Sequence, residues 1–235
     1  MKLFCLPYAG GNADFYKDIK EYIENKDTRI EVIALEYPGH GSRRKENLLS
    51  TFDDLSSDVI KQMAMKFDED DYALMGYSMG SIVASEVVRK ILLGELLSKP
   101  KKIFLAAHEP RTIKMYTSLS NTIDDAAVKK RTIDFGAVPE SLINNETFWR
   151  IYLPLFKADY NMILNYNFGN LSLKTNIDTT IFYSEIDTPY EIMKEWSKYY
   201  CGNLEYFQFD GNHFFLKNHF IEIGNIIINR LDEVI

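Results

Sequence analysis

The chain has 235 residues, a formal net charge of −7 at pH 7, 46% hydrophobic and 14% aromatic side chains. That length suits one α/β domain with room for an inserted subdomain, and the apolar content is enough for a substantial core. The acidic balance gives a nucleic-acid role no electrostatic support. Two cysteines, Cys5 and Cys201, make no disulfide framework, so a reducing, cytoplasmic compartment is the expectation.

Residues 2–6 read as a strand, with Cys5 a small buried hydrophobe inside it, ended by Pro7-Tyr8-Ala9-Gly10-Gly11. The apolar run is too short for a signal-peptide core, and no stretch approaches a membrane span. A helix is predicted over 13–24 with Asn12 as its N-cap, then a strand over 29–35 that closes at the loop Tyr37-Pro38-Gly39-His40-Gly41. Ser50 or Thr51 starts a helix running to about Phe67. A short apolar run, 72–75, is followed by apolar residues at helical spacing over 81–93. Residues 101–107 form another strand.

Strand–helix alternation argues a mainly parallel sheet covered on both faces. It stops between Arg111 and Leu173, where helical patches appear without a clear strand and with many aromatics, among them Phe135, Trp149, Tyr152, Phe156, Tyr160 and Tyr166. It resumes with a strand at 178–184, a helix at 190–200, a strand at 204–209 and a last helix from near Phe214. The reading is a single domain, 1–235, with a helical lid inserted at about 111–173. The plainer alternative is a helical layer whose aromatics pack the core. The basic clusters Arg43-Arg44-Lys45 and Lys129-Lys130-Arg131 read as solvated surface.

Gly76-Tyr77-Ser78-Met79-Gly80 fits G-x-S-x-G between a strand and a helix. That setting is the nucleophile elbow of α/β-hydrolases, a sharp turn that holds the serine in a strained conformation. A serine hydroxyl needs an adjacent base, and the base needs an acid to hold its tautomer. In this fold the chain order is serine, acid, histidine. Of the four histidines, His40 precedes the serine and His108 precedes the acid candidates. His213 follows the last predicted strand, where parallel-sheet enzymes place catalytic groups, whereas His219 falls inside the final predicted helix. His213 is therefore the expected base.

Asp187 is the expected acid, because it lies past a strand end in a loop reaching over the sheet. Glu185 and Asp210 compete with it, and Asp187 has an alternative use as an N-cap for the next helix. The expected oxyanion donors are the backbone N–H of Met79, directly after the nucleophile, and that of Ala9 in the loop after the first strand. Histidine and cysteine lack metal-ligand spacing, and neither a metal nor another cofactor is expected.

Four motifs stand in one order: Leu6-Pro7-Tyr8-Ala9-Gly10-Gly11, Tyr37-Pro38-Gly39-His40-Gly41-Ser42-Arg43, Gly76-Tyr77-Ser78-Met79-Gly80-Ser81 and Asp210-Gly211-Asn212-His213-Phe214-Phe215-Leu216. Together they resemble the type II thioesterases, the stand-alone editing enzymes of nonribosomal peptide and polyketide synthesis, over nearly the whole chain. The resemblance implies an α/β-hydrolase fold with a helical lid and hydrolysis of acyl groups from the phosphopantetheine arm of an acylated carrier protein. It places the nucleophile on Ser78, the base on His213, the acid on Asp187 and the oxyanion donors on Met79 and Ala9. The chain departs from the family pattern at Tyr77, where histidine is common, at Glu185, near which a glycine is common, and at Ala107-His108-Glu109-Pro110. Two other readings compete: an acyl-CoA thioesterase or small-molecule esterase on the same fold, and a non-catalytic binding protein on a hydrolase scaffold.

Overall fold

A computed structural model describes residues 1–66, 71–94, 97–110, 123–171 and 174–234. Six parallel strands form one sheet in the order β2-β1-β3-β4-β5-β6. They are β1 (Lys2–Leu6), β2 (Glu31–Ala34), β3 (Tyr72–Tyr77), β4 (Lys102–Ala106), β5 (Thr179–Tyr183) and β6 (Leu204–Gln208). The central strands β1, β3, β4 and β5 are buried along their whole length, which is why they read as continuous apolar runs rather than as an alternation.

The alternation survives in which layer each side chain meets. Leu3 and Cys5 of β1 join Ala73, Met75 and Tyr77 of β3 on one face, against Ile19 and Ile23 of α1 (Lys17–Lys26) and Ile223, Ile227 and Leu231 of α7 (Phe220–Asp232). Phe4, Leu6, Tyr72 and Leu74 point the other way, onto Leu55, Val59 and Met63 of α2 (Phe52–Lys66) and Val83 and Val87 of α3 (Met79–Leu92). Each such side chain is worth about 1.5–3 kcal/mol when removed from water. Cys5 is fully buried, and burial pushes its thiol pKa far up.

The strand order reverses direction between β1 and β3: the chain leaves β1 toward β2 on one side and leaves β3 toward β4 on the other. Open parallel sheets bind ligands in the crevice at such a switch point, beyond the carboxyl ends of the strands. The loops that leave β1 and β3 there are Pro7–Gly11 and the G-x-S-x-G turn.

Between β4 and β5 the described residues carry α4 (Asp125–Asp134) and α5 (Glu146–Asn165) and no sheet strand; residues 111–122 and 172–173 of the expected insertion lie outside the described residues. Side chains at both helix starts close the first turn: Asp124 accepts from Ala127 N–H and Asn145 from Phe148 N–H. Trp149, Phe156, Tyr160 and Met162 are buried, whereas Tyr152 is exposed.

Several boundaries differ from expectation. Asn12 caps as predicted, accepting from Asp14 N–H, but the first turn, Ala13–Tyr16, is 3-10 before α1 begins. Tightening that turn buries Tyr16, whose hydroxyl donates to Leu6 O at 2.7 Å. The helix expected over 190–200 is α6 (Tyr190–Met193) followed by a 3-10 stretch, Lys194–Lys198. That stretch carries the fully buried Trp196, whose indole N–H reaches His108 O at 2.9 Å. The last helix starts at Phe220, after a separate 3-10 turn at Phe215–Lys217, so His219 is its N-cap residue rather than an interior one. The expected end of α2 at Phe67 falls outside the described residues. No helix among the described residues is long and apolar enough to cross a membrane.

Candidate active site

Ser78 sits between β3 and α3 at φ 53° and ψ −119°, a left-handed backbone that a non-glycine residue adopts only under constraint. The constraint comes from both sides. Ser78 N–H donates to Ala106 O at 2.8 Å, and Ser81 Oγ donates to Gly76 O at 3.0 Å while accepting from Ala106 N–H at 3.2 Å. A Cβ at Gly76 would lie 2.2 Å from Gly80 O, and one at Gly80 would lie 2.0 Å from Leu6 O. Only hydrogens fit where the turn folds onto α3 and α3 onto the end of β1.

His213 Nε2 lies 2.9 Å from Ser78 Oγ, and His213 Nδ1 lies 2.8 Å from Asp187 Oδ1. A carboxylate only accepts, so Nδ1 carries the proton and Nε2 is left to accept from the serine hydroxyl. Both side chains of the His213–Asp187 pair are more than nine-tenths buried. Asp187 Oδ2 is buried without a hydrogen-bond partner among the described residues.

The two competing acids are elsewhere. Glu185 is exposed and accepts from Tyr190 N–H at 3.1 Å, so it makes the capping contact at α6 that was the alternative for Asp187. Asp210 is also exposed, and its backbone carbonyl faces His219 Nε2 at 3.1 Å. The His219 ring is thus taken up by Asp210 O and Glu222, while His213 is the imidazole beside Ser78.

Met79 is the first residue of α3, where N–H groups have no intrahelical acceptor. Its N–H and that of Ala9 have no partner among the described residues. Ala9 and Ser78 both line a cavity of about 210 Å³ with Tyr8, His108, Phe135 and Asp187.

Features absent from the sequence reading also shape the site. Phe135, at the end of α4, stacks on the His213 imidazole with centroids 4.4 Å apart and planes 20° off parallel. Tyr77, the departure before the serine, is fully buried on the opposite side of the turn, and its hydroxyl donates to His213 O at 2.7 Å. The phenol therefore supports the histidine loop from beneath. Ser184 Oγ donates to Gly211 O, tying the acid loop to the histidine loop. Arg131, expected on the surface, lines the cavity and lies over the Phe135 ring at 4.5 Å. Arg43 is held by Glu46 and Asp58. His108 also lines the cavity: burial lowers its pKa and keeps the ring neutral. Tyr77 was visible as a motif departure, but nothing in sequence spacing marked Phe135 or Arg131, which come to the site through the packing of α4.

A parallel sheet, a strained serine at its switch point and a buried imidazole within hydrogen-bond reach define an α/β-hydrolase. The sequence family described as Thioesterase domain matches residues 1–231. The chain belongs to that family. Thioesterase PikA5 of Streptomyces venezuelae is 25% identical over 233 residues, which span 98% of this chain and 81% of its own. The crystal structure of ClbQ, from the colibactin NRPS/PKS pathway, superposes with a TM-score of 0.86 at 25% identity and covers 99% of this chain and 97% of its own. The type II thioesterase BorB, from the borrelidin biosynthetic cluster, shares the fold at 24% identity with a TM-score of 0.80, over 98% of this chain and 92% of its own.

Proposed function

We propose that this chain is a serine thioesterase that hydrolyses acyl groups from the phosphopantetheine arm of carrier proteins in nonribosomal peptide or polyketide synthesis, regenerating blocked carriers. The observation that carries the catalytic part is the continuous line Asp187–His213–Ser78, at 2.8 and 2.9 Å, at the elbow. The likeness to ClbQ, from an NRPS/PKS pathway, supports the carrier part.

In this reading Ser78 Oγ attacks the thioester carbonyl as its proton passes to His213 Nε2. Asp187 stabilises the imidazolium. The tetrahedral oxyanion is met by the N–H groups of Met79 and Ala9, each worth about 10²–10³ in rate when well placed. Collapse expels the pantetheine thiol, which takes the proton from His213. Water then attacks the acyl carbonyl as His213 Nε2 takes its proton, and the second tetrahedral state collapses with that proton returned to Ser78 Oγ as the acid leaves. The α4–α5 pair acts as a lid over this step, with Phe135 against the base. The domain reading follows: one α/β-hydrolase domain with a helical insertion.

One acyl chain presented on a phosphopantetheine carrier and on CoA tests the partner. The expected result is a higher kcat/KM on the carrier, with only modest salt dependence, because a chain of net charge −7 gains no long-range attraction to an acidic carrier. Ser78→Ala is expected to abolish acyl-enzyme formation on both. Equal or better turnover of acyl-CoA across several chains and carriers would assign the small-molecule reading instead. A wild-type enzyme inert to both thioesters and to a fluorophosphonate probe would assign the non-catalytic one.

A further inference from the structure

A buried ion pair lies beside the cavity and joins three segments. His40 and Asp159 are 3% and 1% exposed, and His40 Nε2 lies 2.9 Å from Asp159 Oδ2. His40 Nδ1 lies 3.0 Å from Pro38 O. Both neighbours of the ring, a carboxylate and a carbonyl, can only accept. Both ring nitrogens must therefore donate, which makes His40 an imidazolium. Burial opposes that charge, but the Asp159 carboxylate outweighs it and holds the His40 pKa above its ordinary value.

The same Asp159 oxygen accepts from Gly10 N–H at 2.7 Å. Gly10 follows Ala9, and it sits at φ +76° with the Phe156 ring where a Cβ would be, 2.1 Å away. Phe156 and Asp159 both belong to α5, so one turn of that helix holds Gly10 by a ring and a carboxylate. The rest of the loop is pinned from the other side: Tyr37 hydroxyl donates to Pro7 O at 3.0 Å, and Gly11 N–H donates to Tyr8 O at 2.9 Å. The Gly10 bond to Asp159 fixes the plane of the Ala9–Gly10 peptide, and the Gly11 bond to Tyr8 O fixes that of the Tyr8–Ala9 peptide, which carries the Ala9 N–H; the carboxylate thus holds the turn in the form that presents the Ala9 N–H.

We propose that Asp159 and His40 are positioning residues for the oxyanion hole: Asp159 on α5 holds, through Gly10, the turn that presents the Ala9 donor, and His40 holds the Asp159 carboxylate in place. This rests on the assignment of Ala9 as a donor. It also couples the helical pair to catalysis, because a displaced α5 withdraws the carboxylate from the loop.

Removing the carboxylate acts on the tetrahedral state and not on the bound thioester. Asp159→Ala in the full chain is expected to lower kcat on an acyl-pantetheine thioester by about 10–100-fold, below the full loss of a donor, with KM changed less than about twofold. Affinity for an acyl trifluoromethyl ketone, which forms a tetrahedral adduct, should weaken by the same factor. Asp159→Asn retains an acceptor for Gly10 N–H and should recover most of the loss. If Asp159→Ala does not fold, the neutral pair His40→Gln with Asp159→Asn carries the test, expected to lower kcat at least about threefold at unchanged KM. A folded Asp159→Ala, or the neutral pair in its stead, with wild-type kcat and ketone affinity overturns the proposal. So does a variant that raises KM alone. Failure of the underlying serine-hydrolase reading is separate: it shows as wild-type protein unlabelled at Ser78 by a fluorophosphonate.

Discussion

Gly80→Ala tests whether the two proposed oxyanion donors depend on contact between α3 and the end of β1. The added Cβ would lie 2.0 Å from Leu6 O, 2.7 Å from Leu6 C and 2.9 Å from Pro7 O. An ordinary carbon–oxygen contact is about 3.3–3.6 Å, so the separation must grow by roughly 1.3 Å. All three obstructing atoms are backbone, and no side-chain rotation relieves them. β1 is held on both sides by β2 and β3. The movement therefore falls on the first turn of α3 and on the loop after Leu6, the segments that carry Met79 and Ala9. Misplacement by about 1 Å costs on the order of 10²-fold in rate, whereas overpacking costs only about 1–3 kcal/mol of stability. The expected result is a folded enzyme with kcat/KM down about 100-fold, measured by thiol release from an acyl-pantetheine thioester alongside circular dichroism. Gly94→Ala is the control. It strains a residue at φ +102° whose Cβ meets nothing within 4 Å, and it should cost comparable stability at wild-type turnover. Folded Gly80→Ala with kcat/KM within threefold of wild type would refute the reasoning.

Three further outcomes are expected. His213→Ala should be as damaging as Ser78→Ala, with His219→Ala mild, and Asp187→Asn should cost far more than Asp210→Asn, since only Asp187 reaches the imidazole; steady-state kinetics on folded variants that reversed either ranking would reassign the base or the acid. Burial holds the His108 pKa down, so protonation favours the unfolded chain, and this contribution to stability is whole above the unfolded value of about 6.5 and lost as pH falls below it. His108→Gln should therefore show a smaller fall in Tm between pH 7 and pH 5 than wild type, and an unchanged fall would show that another group sets the acid limit.

The strands were legible because a buried parallel strand leaves a short, unbroken apolar run, as in Ile103, Phe104 and Leu105. Element ends were less so, because tertiary contacts decide them: Trp196 and Tyr16 draw their segments into tighter turns that no local propensity marks. At the site, chain order and strand ends singled out Ser78, Asp187 and His213 before any distance was known. His40 was set aside as a base by chain order, and its pairing with Asp159 spans 119 positions. No periodicity announces a contact of that kind. The role of Tyr77 was hidden for a similar reason: its hydroxyl meets a loop that closes onto it only in three dimensions.

The ring of Phe135 over His213 bears on which nucleophile can finish the reaction. One face of the imidazole is covered, and the cavity left beside it is about 210 Å³, shared with whatever acyl chain is attached to Ser78. A water molecule needs only about 10–15 Å³ in this measure, so it fits alongside a short acyl group. An amine or alcohol on a chain of any length must compete with that group for the same room. The imidazole would activate either one equally well. In the proposed reaction, partition toward free acid, rather than toward a transferred or cyclised product, would then be set by the space α4 leaves and not by the chemistry of the base.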